Sequence, residues 1–295
     1  MNPRSGHPHI DAALVRRLIE TQFPHWSDLL VRPVDADGWD NRTFRIGDHL
    51  SARLPSASGY VPQVRKEATW LPVLAGELTL PIPEVVAIGR PGCGYPFEWT
   101  VRRWIEGTPV ASVEVDALRL ADDLASFLLQ LQSVDPVGPA PGAHSAHRGG
   151  PLTHYDAETR AAIATLGSVI DGRAALAEWQ RAVGAIGTPA PVWFHGDIAT
   201  GNLLVTDGVL SGVIDFGCAG VGDPGCDLAI AWTYFEEPAR SVFRDRLGAG
   251  ADVWARGRGW ALWKALITVN DPITGSVAAR TLDALGIDQI PRSHD

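Results

Sequence analysis

The sequence predicts an α+β chain in two parts, a small β-rich one over residues 1–106 and a larger, mainly helical one over residues 107–295. Three observations carry this. Short apolar runs broken by Asp, Gly and Pro fill the first third. After Gly107 the apolar spacing becomes helical. Near residue 195 the pattern returns to strand, polar loop and hairpin, in "PVWFHGDIATGNLLVTDGVLSGVIDFG".

The elements follow in order. "IDAALVRRLIETQF" has helical spacing at Ile10, Ala13, Leu14, Leu18 and Ile19, with Asp11 near its start. "LLVRPVD", "NRTFRIG" and "HLSARLP" read as strands. "PQVRKEATWLPVLAGE" reads as a helix that Pro72 breaks or kinks. "PEVVAIG" and "PFEWTVRRWIEG" supply two more strands. "VDALRLADDLASFLLQLQSV" is amphipathic, with Leu118, Ala121, Leu124, Ala125 and Leu128 on one face. "DPVGPAPGAHSAHRGGP" is too rich in Pro and Gly for regular structure, and is expected as an exposed loop or a substrate-side flap. Helices resume over about 155–186. A hairpin turns at Asp207-Gly208, and the chain from Asp223 to Gly286 is mainly helical.

Composition narrows the function. With 45% hydrophobic and 20% charged residues the chain reads as soluble and globular. A net charge of -9 argues against nucleic-acid binding, which needs basic patches, and is compatible with cationic small molecules. No apolar run approaches a membrane span, and "MNPRSGHPHID" lacks the apolar core of a signal peptide, so no membrane partner is expected. Cys93, Cys218 and Cys226 cannot all pair and match no zinc spacing, so a reduced, cytoplasmic protein is the simple reading. His144, His147 and His154 have no carboxylate or Cys to complete a metal site.

The chemistry concentrates at 195–217. Asp197 follows a strand on a short loop, Asn202 stands five positions on, and Asp215 ends the hairpin. Asn202 and Asp215 offer hard oxygens of the kind that suits Mg²⁺ together with substrate phosphates. Asp197 is a carboxylate able to orient a hydroxyl and accept its proton.

The motifs "HGDxxxxN" and "IDFG" resemble the catalytic loop and metal aspartate of the aminoglycoside phosphotransferase family, which has a protein-kinase-like two-lobed fold. "GVGDPGCDLAIAWTYF" and "GWDNRTFRIGDHLSARLP" also look like this family. The resemblance implies Asp197 as catalytic base, His195 as loop brace, and Asn202 and Asp215 as Mg²⁺ ligands. It implies a nucleotide lobe over 1–106 and a catalytic and substrate-binding lobe over 107–295. Gly38 to Thr43 stands where kinases have their glycine-rich loop, with Asn41 and Thr43 as candidate phosphate donors. Arg53 stands where protein kinases have Lys, with Glu67 as its partner and Lys66 facing solvent. Arg102 and Arg103 read as strand-edge charges, and backbone groups near Trp104 and Ile105 are expected to meet the base. Asp223 and Asp227 read as helix-start and loop-bracing residues.

The implied partners are ATP or GTP and a small-molecule hydroxyl acceptor, foremost an aminoglycoside-like antibiotic. Glu236, Glu237 and Asp271 are candidates for its ammonium groups, and Trp232, Trp260 and Trp263 for its sugar faces. Macrolides, choline- or homoserine-type metabolites, a nucleotide-binding pseudokinase and a metal-dependent phosphohydrolase are the competing readings.

Overall fold

The computed structural model describes residues 8–34, 40–185 and 190–287. The chain divides into two compact units. The first comprises Met1–Gly107 and a returning segment, Gly212–Gly217; the second comprises Thr108–Ser211 and Cys218–Asp295.

In the first unit, helix α1 (Ala12–Gln22) begins where the Asp11 carboxylate accepts the Leu14 N–H at 2.7 Å. Its buried face is Leu14, Val15, Leu18 and Ile19. That face packs into a core with Phe44, Ile46, Leu54, Trp99 and Val101. The strands β1 (Val31–Pro33), β2 (Asn41–Ile46), β3 (Leu50–Pro55), β4 (Val85–Gly89) and β5 (Trp99–Arg103) form an antiparallel sheet in the order β1-β2-β3-β5-β4. Helix α2 (Val61–Ala75) lies between β3 and β4 in sequence. Pro72 does not break it: it stands in the last turn, where only the N–H that would reach Ala68 is forfeited.

The second unit begins with β6 (Thr108–Pro109) and α3 (Ala117–Ser133), capped by Asp116. Helix α3 buries Leu120, Ala121, Leu124, Ala125, Phe127, Leu128 and Leu131, whereas Leu118, expected on the buried face, is exposed. Helices α4 (Asp156–Leu166) and α5 (Gly172–Gly184) follow. Then come β7 (Val192–Phe194), β8 (Leu203–Thr206), β9 (Val209–Val213) and β10 (Gly220–Gly222). Asp207 and Gly208 both take positive φ, as a two-residue hairpin turn requires. Helices α6 (Ile230–Thr233), α7 (Ala239–Leu247), α8 (Ala251–Thr268) and α9 (Gly275–Ala284) complete the unit. No helix among the described residues is long and apolar enough to cross a membrane.

The Pro/Gly-rich stretch 135–151 is partly exposed, with Val137 at the surface, but its backbone is tied to the strands around the site. Strand β7 pairs antiparallel with β10, and this stretch is bonded to both. Trp193 Nε1 donates to the Asp135 carbonyl at 3.0 Å, Val221 N–H to Pro139 at 2.9 Å and Asp223 N–H to Gly149 at 2.8 Å. Gly149, at φ +74°, lies so close to Phe194 that a Cβ would stand 2.1 Å from its ring. The composition that removes regular structure is what lets backbone reach the strand.

Candidate active site

The second unit presents Asp197 on the loop that leaves β7. The loop is held from below by Asp227, which is fully buried. Its Oδ2 accepts the His195 N–H at 2.8 Å and its Oδ1 the Gly196 N–H at 2.7 Å. Burial raises the Asp227 carboxyl above its ordinary range, opposed by His195 and those two backbone donors. Gly196 turns the chain at φ +85°, and a Cβ there would meet the Cys218 carbonyl at 2.8 Å. His195, also fully buried, accepts the Asp197 N–H on Nδ1 at 3.2 Å. These contacts tie Asp227 and His195 to the backbone of the loop that carries Asp197.

Asp197 itself is open, its side chain 38% exposed. The Asn202 amide nitrogen donates to the Asp197 carbonyl at 2.9 Å and to its Oδ2 at 3.2 Å, which directs the amide oxygen of Asn202 away from Asp197. The Lys264 ammonium lies 3.5 Å from the other carboxylate oxygen, Oδ1.

The first unit gathers a different constellation. Arg53 on β3 has its side chain 11% exposed, with Nη2 2.5 Å from Asp215 Oδ1 and Nη1 3.7 Å from Glu67 Oε1. With its amide oxygen turned inward, Asn41 accepts from Arg53 Nη2 at 3.0 Å and Nε at 3.1 Å. Burial works against the charge of Arg53, but Asp215 and Glu67 outweigh it and raise its pKa. Asp215 takes a positive φ of 66°, a conformation Asp tolerates better than bulkier residues. Beside it Asp40 is shifted upward by burial, with Asp215 adding to the rise.

Glu67 is not partnered chiefly by Arg53. Its closer contact is Arg102, whose Nη2 donates to Glu67 Oε2 at 2.6 Å. Arg102 is 5% exposed, so it is a buried charge and not the strand-edge residue its sequence neighbours imply. The sheet register explains this: Arg53 faces Thr100, and Arg102, two residues on, projects to the same side. That alternation was the available signal. Burial and neighbouring Arg53 pull the Arg102 pKa down while Glu67 opposes them. Lys66 does not point to solvent either; its ammonium donates to the Gly217 carbonyl at 2.5 Å.

The remaining expectations divide. Thr43 is paired with Arg53 across β2 and β3. Gly38 and Trp39 lie outside the described residues. The Trp104 N–H is donated to His49 at 2.8 Å, and its ring lies 4.4 Å from the Arg45 guanidinium. Ile105 is half-buried beside it. Trp232, Trp260 and Trp263 are buried core, which limits them as stacking platforms. Asp271 accepts the Ile273 and Thr274 N–H groups, and Glu237 accepts from Ser241. Glu236 is exposed. His147 and His154 stack at 3.5 Å, and no cluster of three or more metal-ligating side chains occurs among the described residues.

Known proteins share this architecture. The GDP complex of wild-type aminoglycoside 2'-phosphotransferase-IIIa matches with a TM-score of 0.67 at 20% identity, over 94% of this chain and 98% of that one. The apoenzyme of macrolide 2'-phosphotransferase MphH from Brachybacterium faecium matches at 0.61 and 20% identity, over 93% and 97%. These likenesses establish the fold as protein-kinase-like α+β, with a small β-rich lobe and a larger helical one. The aminoglycoside 3'-phosphotransferase of Escherichia coli is 47% identical over 49 residues, a match spanning 17% of this chain and only 18% of that relative's length. The model of the phosphotransferase enzyme family matches residues 31–260, well over half of the sequence, and the chain belongs to that family.

Proposed function

We propose that this protein transfers the γ-phosphoryl group of ATP or GTP to a hydroxyl of a small molecule. The observation that carries the reading is Asp197: an open carboxylate on a loop whose backbone is fixed by buried Asp227, with one oxygen steadied by Asn202. A carboxylate so held is suited to take a hydroxyl proton without rearrangement of its support. As the acceptor oxygen bonds to phosphorus, its proton passes to Asp197. The bond from that phosphorus to the departing nucleoside diphosphate breaks in the same displacement.

Arg53, aligned by Asn41, Glu67 and Asp215, is assigned to the nucleotide phosphates, with Thr43 on the neighbouring strand. Backbone groups at Trp104 and Ile105 are assigned to the base, with the Trp104 N–H already committed to His49. Asn202 and Asp215 are assigned to Mg²⁺, which when bound neutralises phosphate charge. Relatives of the same fold bound to GDP or to ADP support a nucleotide donor. Aminoglycosides and macrolides head the acceptor panel because structural neighbours are phosphotransferases for both. We assign the protein to the cytoplasm, where such nucleotides are abundant.

The test is direct. Purified protein with Mg²⁺ and either nucleotide is incubated with aminoglycosides, macrolides and small hydroxyl metabolites, and products are weighed by mass spectrometry. A phosphorylated acceptor is expected. Nucleotide binding without any product would overturn the reading in favour of a pseudokinase.

A further inference from the structure

The environment of Asp197 selects which acceptor can reach it, given the phosphotransferase reading above. Oδ2 is shared with the Asn202 amide, so Oδ1 is the oxygen left for a hydroxyl proton. Oδ1 is the atom that faces Lys264, at 3.5 Å. Lys264 reaches it from α8, where Trp260, Trp263, Lys264 and Ile267 occupy one face. Trp260 and Trp263 are buried and fix the helix, Lys264 is 42% exposed, and Ile267 lies exposed one turn on. A second cation stands beside this face, the Arg148 guanidinium 4.4 Å from the Trp263 ring.

Two carboxylates of this region keep their charge but turn their oxygens to other donors. Glu158 accepts from Trp263 Nε1 at 2.7 Å, and Asp271 caps the turn after α8. An exposed ion pair of this length adds little stability. Its weight falls on whatever approaches Oδ1, since like charges a few ångströms apart in a partly desolvated site repel strongly.

We propose that Lys264 is a specificity-determining residue that admits neutral or anionic hydroxyl compounds to Asp197 and disfavours those with an ammonium group beside the reacting hydroxyl. The acceptor class is thereby narrowed within the phosphotransferase reading, away from polycations in their free-amine form.

The test uses the full chain and matched acceptors with identical hydroxyls: aminoglycosides and simple amino sugars, each as free amine and fully N-acetylated. For each pair, kcat/KM is measured in wild type, Lys264→Arg, Lys264→Gln and Lys264→Glu, with Tm confirming that each variant is folded. Wild type should prefer the acetylated member. Lys264→Gln should cut that preference about tenfold or more, Lys264→Glu should cut it further, and Lys264→Arg should keep it. Preference of wild type for the free amine, or a ratio that Lys264→Gln leaves unchanged, would overturn the role of Lys264 while leaving phosphotransfer intact. Absence of phosphorylated product from every acceptor in every variant would overturn the phosphotransferase reading and the inference with it.

Discussion

Around Arg53, side chains hold side chains; around Asp197, a buried carboxylate holds backbone. Arg53 is bounded by Asn41, Glu67 and Asp215, and Glu67 in turn by Arg102, so each charge of this cluster is oriented by another. Asp197 has few side-chain partners, and its position comes from Asp227 fixing the two residues before it. The two arrangements should fail differently. Removing one member of the Arg53 network leaves an uncompensated charge among buried neighbours. Removing the Asp197 carboxylate leaves its scaffold standing.

Asp197→Asn sharpens that contrast most, because it deletes the base and spares the loop. A loss of roughly 10²–10⁴-fold in kcat is expected with nucleotide affinity preserved, read by steady-state kinetics and calorimetry. Wild-type turnover would remove Asp197 from the chemistry. Asp227→Ala should do the opposite. Two backbone N–H groups lose their acceptor in a fully buried place, at about 1–3 kcal/mol each, so chemical denaturation should show a large loss of stability along with the loss of activity. Stability within error of wild type would mean the loop is held by something else.

The network around Glu67 gives the most discriminating effects. Glu67→Ala should cost about 3–5 kcal/mol, since Arg102 and Arg53 both lose a buried partner. Arg53→Ala should act mainly on nucleotide KM. In double-mutant cycles read by denaturation, Glu67 should couple more strongly to Arg102 than to Arg53, following the 2.6 and 3.7 Å contacts. The reverse order would restore Arg53 as the chief partner of Glu67.

How far the sequence disclosed these regions follows the same divide. Asp197, Asn202 and Asp215 could be singled out as candidates because motif chemistry sits at fixed spacing along one continuous stretch. The hairpin turn and the caps at Asp11 and Asp223 were legible because they are local. Arg102 was not: its partner lies 35 residues away, and "VRRW" reads the same whether its second residue faces solvent or a buried Glu. Lys264 lies farther still along the chain from Asp197, in a helix whose pattern announces only core. The stretch 135–151 was legible only as irregular chain, for another reason. Pro and Gly report missing regular structure, and say nothing about the strand the backbone then packs against.

The return of Gly212–Gly217 to the first unit has a topological consequence. The polypeptide enters that unit twice, and on its second visit delivers Asp215 to Arg53, with the Val213 N–H bonded to the Pro81 carbonyl at 3.2 Å. A polypeptide severed after Gly107 would keep Glu67 and Arg102 paired but take with it an Arg53 stripped of its nearest carboxylate. The excised remainder would carry six residues whose proper surroundings had been left behind. Fusion, circular permutation or gene fragmentation of this protein therefore has no clean cut at the place where composition changes most sharply. The boundary visible in the sequence is a change of texture, while the covalent thread ties the two units together at a second point, carried by the residue assigned to the metal.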